Sequence, residues 1–554
     1  MLSKNKHYTY QFGIVIFSAL LFIPFLGNVH LFDWDEINFA ESAREMILSG
    51  DYLTVSINFK AFWEKPPLFA WFQVLSMKIF GINEFAARFP NAIAGIFTLL
   101  LLFNIGKKLY NERFGLIWVL VYAGSVLPFF YFKSGIIDPI FNLFIFIGIY
   151  YFILFSDAEK KPGLKFVFLS AFFIGLAILT KGPVAFLIFF LTAAIFMVIK
   201  KMYRNFLNYK VVLIYALTVA FVGGFWFILQ ALNGNYDILL KFIEYQVRLF
   251  TIEDAGHGGF LLYHFVVLFF GVFPASVFML KSFRKYQDNN KLQLFFRQWM
   301  IILFWLVLIL FTIVNTKIVH YSSMCYFPMG YLAAFIIDKM ISGELKFDRW
   351  MKITTGIVSF VLGSAIVALQ LIVLKREEII NSGIIKDNFA IGNLSAEVYW
   401  SGFEFIIGLF FYTAVILSLL FIREIKKLLF SIFTNTIVFT YLTMLIIVPR
   451  IEQYSQNAAI TFYKKISKED CYLDCYSFKS YAIYYYFDKK QPTNAEAYDI
   501  NWLLTGETDK PVYIVCKNTT AEEFKKNYPA FIELSNKNGF VFFKREAGKD
   551  LLNK

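Results

Sequence analysis

At 554 residues the chain could hold several soluble domains, but 58% of it is hydrophobic, 20% aromatic and only 17% charged. That balance excludes an ordinary soluble protein. The net charge of +13 would suit a nucleic-acid binder, yet Lys and Arg sit in short loops between apolar runs. There is no basic domain, so nucleic acid is excluded as a partner and membrane topology is the better reading. The four cysteines decide little, since Cys325 falls in a membrane segment and Cys471 and Cys475 allow a local disulfide without requiring one.

The first apolar run, QFGIVIFSALLFIPFLGNVHLF, follows a short basic start without a small-residue cleavage site, and reads as an uncleaved helix. Runs of roughly 20 apolar residues suffice to span a bilayer. They predict about thirteen spans, at 11–30, 86–105, 114–132, 136–155, 165–181, 183–200, 211–231, 260–280, 299–316, 321–338, 351–374, 399–422 and 429–448. With the N-terminus inside, the inner loops read KKLYNER, DAEKKPGLK, KKMYRNFLNYK, KSFRKYQDNNKLQLFFR, DKMISGELKFDRWMK and REIKK. All are rich in Lys and Arg, as inner loops should be. The odd count puts the C-terminus outside.

The expected fold class is therefore an α-helical polytopic membrane protein, with a membrane domain at 1–448 and an extracytoplasmic α/β domain at 449–554. In the tail, YAIYYYF, PVYIVC and GFVFFK read as strands, and AAITFYKKI and TAEEFKKNY as helices. Two further outer segments, 31–85 and 232–259, are longer than most connections, and loops of that length usually carry function.

Positive residues at outer span ends run against the topology rule and ask for a reason. Lys65, Lys133, Lys181, Arg248 and Lys317 lie there, with the acids Asp33, Asp35, Glu36, Glu41, Glu45, Glu64 and Asp138. Such a rim suits a polar pocket whose cations hold a phosphate and whose carboxylates hold or deprotonate hydroxyls. DWDEINFAESAREMILSGDYL reads as an interfacial amphipathic helix from Glu36 to about Leu48. Asp35 would be its N-cap, Gly50 its stop, and Glu41, Arg44 and Glu45 would face away from the apolar side. Each charge has a plain structural reading as well. Asp35 could be only a cap, Glu64–Lys65 an idle surface pair, Asp138 before Pro139 a helix start, and Lys317 a headgroup anchor.

The string DEINFAESAREMILSGDYLTVSINFKAFWEKPPLFAWFQVLSMKIFGINEFAARFPNA resembles the first external loop of membrane glycosyltransferases that use polyprenyl-phosphate-sugars. That superfamily includes protein O-mannosyltransferases and the bacterial transferase that adds aminoarabinose to lipid A. GIIDP, GLAILTKGP, EYQVRLFTIEDAGHGGF and NTKIVHYSSMCYFP also match, so motifs cover the first 340 residues and layout alone covers the rest.

The resemblance implies a GT-C architecture in a bacterial inner membrane. It also implies an outward-facing cavity, a polyprenyl (undecaprenyl) phosphate-sugar donor, and an envelope glycolipid or protein acceptor. By the same resemblance, Asp35 is the acid that acts on the acceptor and Asp138 the second cavity acid. Glu64 and Lys65 lie at the donor phosphate, with Arg248, Lys317 and Tyr321. Asn38 stands where relatives of the aminoarabinose type often carry Arg. The leaving group is already a phosphate, so preorganised cations are the main requirement and no cofactor is needed. His257 could join Glu64 on a divalent metal ion, although two ligands do not make a site. A single displacement would invert the anomeric centre. The competing readings are an oligosaccharide ligase or polymerase, which lacks the EKPP string, and a flippase, which would more often show internal repeats.

Overall fold

The computed structural model describes residues 2–157, 163–202, 208–251 and 258–548. Each of the thirteen expected spans contains helix in it. Seven helices among the described residues are long and apolar enough to cross a membrane, or nine if two bent pairs each count as one. Their surroundings differ. Asp138–Ser156 is mostly enclosed by other helices, whereas Arg349–Leu374 turns Ile353, Ile357, Phe360 and Leu371 outward, as a lipid-facing helix does.

Both bends have local causes. Tyr209–Gly223 and Phe225–Leu232 meet at 57° around Gly224, where a Cβ would collide with the Ala220 carbonyl oxygen. Tyr263–Gly271 and Ala275–Phe283 meet at 111° at Pro274, which has no N–H to continue the helical ladder.

Residues 31–85 hold more structure than one interfacial helix. Helix Asp35–Ser49 ends on Gly50 at φ 73°, the left-handed stop that glycine favours. A small hairpin follows, β1 (Ser56–Ile57) and β2 (Lys60–Ala61), turning through Asn58 and Phe59 at φ 57° and 53°. After Pro66 and Pro67 comes a further helix, Leu68–Phe80, in a stretch expected to be loop. A second unexpected helix, Tyr236–Thr251, occupies much of the outer segment 232–259.

Glu41, Arg44 and Glu45, expected to face away from the apolar side of an interfacial helix, do not lie on a free surface. Helix Asp35–Ser49 is buried from Glu36 through Met46. Its polar face lies beneath the C-terminal segment, where the Arg44 guanidinium donates to both Glu41 oxygens at 2.7 Å. It also donates to Asp488 Oδ1 at 2.9 Å and to the Lys489 carbonyl at 2.7 Å. A second layer of protein thus takes the place of solvent, and helical periodicity cannot tell these two coverings apart.

The C-terminal segment builds a sheet in the order β3-β4-β6-β5 from β3 (Tyr472–Tyr476), β4 (Val512–Lys517), β5 (Ile532–Lys537) and β6 (Phe540–Arg545). β3 and β4 are parallel and the other pairs antiparallel. PVYIVC and GFVFFK fall on β4 and β6, and the two expected helices form as Asn457–Ile466 and Ala521–Asn527. YAIYYYF is not a strand: Ala482–Tyr486 is helical. Its start is held by the Asp33 carboxylate, which accepts from Ser480 Oγ at 2.5 Å and from the Tyr481 amide. This tertiary contact overrides the strand preference of an aromatic run.

Leu31, Ile37, Ala40 and Met46 share one hydrophobic core with Tyr463, Ile483, Val515 and Phe542. Residues 31–85 and the C-terminal sheet therefore fold as one layer above the helices. All four cysteines are free thiols.

Candidate active site

Asp35 is the first residue of its helix, but it does not cap it. Trp34 occupies the cap position and offers no side-chain bond. The Asp35 carboxylate instead meets His320, with Oδ2 3.1 Å from Nε2. Asp138 likewise begins helix Asp138–Ser156 beside Pro139 without bonding its own backbone amides. Its Oδ1 accepts from Lys181 Nζ at 2.6 Å, and its Oδ2 lies 3.8 Å from His320 Nε2. Four segments thus converge on one polar centre, Asp35–His320–Asp138–Lys181. His320 comes from the short helix Val319–Cys325, and Lys181 from the last turn of Leu164–Lys181, where a helix terminus favours a cation.

Exposure sorts these groups. Asp138 is buried at 4% of its side-chain surface, while Asp35 keeps 44%, so Asp35 is the acid an incoming molecule meets. Burial pushes the Asp35 carboxyl up. The hydrogen bond and charge of His320, with Lys181 and Lys65 beyond, outweigh that and hold it down to about 2. Asp35 is thus a carboxylate at every physiological pH.

Lys65 lies close enough to feel Asp35, Asp138 and Lys181 as charges. Burial lowers its ammonium pKa, Glu64 raises it again, and Lys181 adds to the lowering. Its Nζ is 3.4 Å from Tyr245 Oη and 4.6 Å from the centre of that ring. Arg248 packs on the same ring, its guanidinium carbon 5.2 Å from the centre. The unexpected helix Tyr236–Thr251 thereby brings Arg248 to Lys65, joining the two long outer segments around Tyr245. Glu64 makes no hydrogen bond or ion pair among the described residues. Tyr321 presents its ring to Lys181 at 5.4 Å.

Lys317 is placed differently from the expectation. Its Nζ donates to the carbonyls of Phe311, Thr312 and Val314 at 2.5–3.1 Å, closing the end of helix Lys291–Ile313. All three ammonium hydrogens are engaged, which leaves none for a phosphate in this arrangement. His257 lies outside the described residues. No group of three or more His, Cys, Asp or Glu side chains able to hold a metal occurs among those described.

His320 and the Lys181–Asp138 pair carry the centre; sequence reasoning named Asp138 but passed over His320 and did not pair Asp138 with Lys181. Lys181 stood only among the rim cations. His320 lay inside the string NTKIVHYSSMCYFP, one of five histidines in the chain, between Lys317 and Tyr321. That scarcity at an outer span end was the available signal.

Residues 64–226 match the family described as dolichyl-phosphate-mannose-protein mannosyltransferase. Over 98% of this chain and 99% of the other, the fold superposes with a TM-score of 0.73 on ArnT from Cupriavidus metallidurans bound to undecaprenyl phosphate, at 14% identity. The chain shares the fold of that ArnT. Among curated relatives, the undecaprenyl phosphate-α-4-amino-4-deoxy-L-arabinose arabinosyl transferase of Wigglesworthia glossinidia brevipalpis is 24% identical over 369 residues, 66% of this chain. A namesake in Proteus mirabilis is 24% identical over 342 residues, 61% of this chain. These alignments span 64% and 61% of the length of the two relatives.

Proposed function

We propose that this protein transfers a sugar from a polyprenyl phosphate to an acceptor on the outer face of a bacterial inner membrane. The observation that carries the reading is the convergence of Asp35, His320, Asp138 and Lys181, from four separate segments, on one polar centre at the ends of apolar helices, with Lys65 near enough to feel its charges. The relatives' names and the undecaprenyl phosphate on the superposed ArnT support the same donor. Thirteen spans, with a cytoplasmic N-terminus and an extracytoplasmic C-terminal sheet, fit the Lys and Arg content of the inner loops.

In this reading Lys65 and Arg248, braced on Tyr245, hold the donor phosphate. An apolar cavity of about 340 Å³, lined by Leu262, Phe265, Phe269, Trp305, Leu308 and Met329 among others, suits part of a polyprenyl tail. Its wall helix Tyr263–Gly271 is tied by His264 to Ser322, next to Tyr321. The acceptor oxygen attacks the anomeric carbon, and the bond from that carbon to the phosphate oxygen breaks. The electron pair leaves with the polyprenyl phosphate, whose charge the two cations stabilise. Asp35 orients the acceptor and takes a hydroxyl proton late, when the attacking oxygen has become acidic. Asp138 and Lys181 keep His320 and Asp35 in place. One displacement inverts the anomeric centre.

Deleting the gene in its host and comparing lipid extracts by mass spectrometry tests this. A polyprenyl-phosphate-sugar should accumulate while one sugar disappears from an envelope product. Unchanged extracts would contradict it.

A further inference from the structure

One nitrogen of His320 faces two acids. Its Nε2 lies 3.1 Å from Asp35 Oδ2 and 3.8 Å from Asp138 Oδ2. A carboxylate can only accept, so Nε2 carries a hydrogen, and while that hydrogen is bonded to Asp35 it does not reach Asp138. Asp138 Oδ1 is held by Lys181, but Oδ2 is buried and has no hydrogen-bond partner among the described residues. Buried carboxylate oxygens are ordinarily paired, and the nearest donor to this one is engaged elsewhere.

The two acids belong to different layers. Asp35 begins the helix that packs under the C-terminal segment, whereas Asp138 begins a helix of the membrane domain. The backbone of His320 goes with Asp138. Ser323 Oγ donates to the His320 carbonyl and accepts from Asn142 Nδ2 at 2.8 Å and Tyr131 Oη at 3.1 Å. All three side chains are buried, and Asn142 stands one turn beyond Asp138 on the same helix. The hinge of the imidazole and the open Asp138 oxygen are therefore built on one frame. Rotation of the His320 side chain alone moves its hydrogen from one acid to the other.

A proton on Asp35 would change which acid is the better partner. A hydrogen bond to an ionised carboxylate is roughly twice as strong as one to a neutral group. Once Asp35 holds the acceptor's proton it is the neutral group, and Asp138 beside Lys181 is the ionised one. We infer that His320 is a positioning residue that passes its Nε2–H from Asp35 to Asp138 as Asp35 takes that proton. This handover rests on the transferase reading above. In the step the acceptor O–H bond breaks and an Asp35 O–H bond forms. The electron pair left on the acceptor oxygen makes the bond to the anomeric carbon, and the imidazole keeps its own hydrogen throughout. Before transfer His320 aims Asp35; afterwards it lets go, and Asp35, 44% exposed, returns the proton to water.

Asp35→Asn places a neutral amide where the protonated carboxyl would stand, so high-resolution structures of the full protein in lipid nanodiscs test the handover without substrate. In wild type the imidazole should stay on Asp35. In Asp35→Asn its Nε2 should leave position 35 and come within about 3 Å of Asp138 Oδ2. Adding Asp138→Asn to that variant should abolish the move. With a polyprenyl-phosphate-sugar and a glycolipid bearing free hydroxyls, Asp138→Asn alone should lower kcat about tenfold, the scale of one charge-assisted contact, and leave KM for the donor unchanged. An imidazole that stays on position 35 in Asp35→Asn overturns the handover, as does a wild-type kcat in Asp138→Asn. Absence of transfer by the wild type would instead count against the transferase reading, and the place of His320 in Asp35→Asn would still decide the handover.

Discussion

His320 Nε2 lies 3.1 Å from Asp35 Oδ2, and the same nitrogen is 3.8 Å from Asp138 Oδ2. One imidazole therefore stands between the two acids of the site, and Lys181 closes the far side of Asp138 at 2.6 Å. The arrangement keeps Asp35 ionised and aimed.

Replacing His320 tests that relationship. His320→Gln removes the partner that holds the Asp35 carboxyl down to about 2, so the carboxyl should rise toward its ordinary value near ~3.9. Wild type should show no loss from this group between pH 7 and 4. The variant should transfer roughly tenfold more slowly at pH 7 and fall further behind as the pH drops to 4. A pH-independent ratio of the two rates would contradict the assigned role.

Lys65 and Lys317, both expected at the donor phosphate, should separate experimentally. Lys65→Ala should lower transfer by roughly 100-fold or more, with little change in melting temperature, because a preorganised cation acts on the departing phosphate. Lys317→Met should do the reverse. It leaves the carbonyls of Phe311, Thr312 and Val314 without their donor, which costs about 1–3 kcal/mol of stability. Its affinity for polyprenyl phosphate should change little. Thermal melts and a binding titration on both variants decide the matter.

These two lysines also mark what the sequence could convey. The apolar runs, the stop at Gly50 and the strands β4 and β6 follow from hydropathy and turn chemistry, and all are legible. The acids Asp35 and Asp138 and the cation Lys65 were legible as charges in unlikely places. Their partners were not, because partnership is long-range: Asp35 and His320 stand 285 residues apart. Helix caps misled for a related reason. Asp35 and Asp138 both have cap-like neighbours, yet each carboxylate turns to a tertiary partner instead. The buried polar face of Asp35–Ser49 was hidden because the layer above it comes from the other end of the chain.

Arg44 gives the plainest stability prediction. It is 1% exposed and binds Glu41, Asp488 and the Lys489 carbonyl. Arg44→Ala would strand Glu41 as a buried, uncompensated charge, at a cost of about 3–5 kcal/mol. Poor recovery of folded protein, or a marked fall in melting temperature, is the expected result. An unchanged melt would mean that the C-terminal segment does not pack on this helix.

Glu45 provides a pH signature of the same layer. Burial, together with the charge and hydrogen bond of Glu41, pushes its carboxyl up to about 8, against about 4.3 in an unfolded chain. The folded state therefore holds a proton that the unfolded state releases, and stability should decline as pH rises from about 4.3 to about 8. Glu45→Gln mimics the protonated form and should flatten that decline, leaving the variant at least as stable as wild type at pH 9. Melting curves at pH 5, 7 and 9 give the comparison, and parallel declines in both proteins would contradict it.

The central claim is that the polar centre transfers a sugar from a lipid phosphate, and a reconstituted assay tests it most directly. Purified wild-type protein in liposomes is given a polyprenyl-phosphate-sugar and a phosphorylated glycolipid acceptor, with no nucleotide sugar present. The wild type should form the glycosylated product with inversion at the anomeric carbon, and Asp35→Asn in the same liposomes should form almost none. Transfer only from a nucleotide sugar, or an Asp35→Asn rate equal to wild type, would contradict the account.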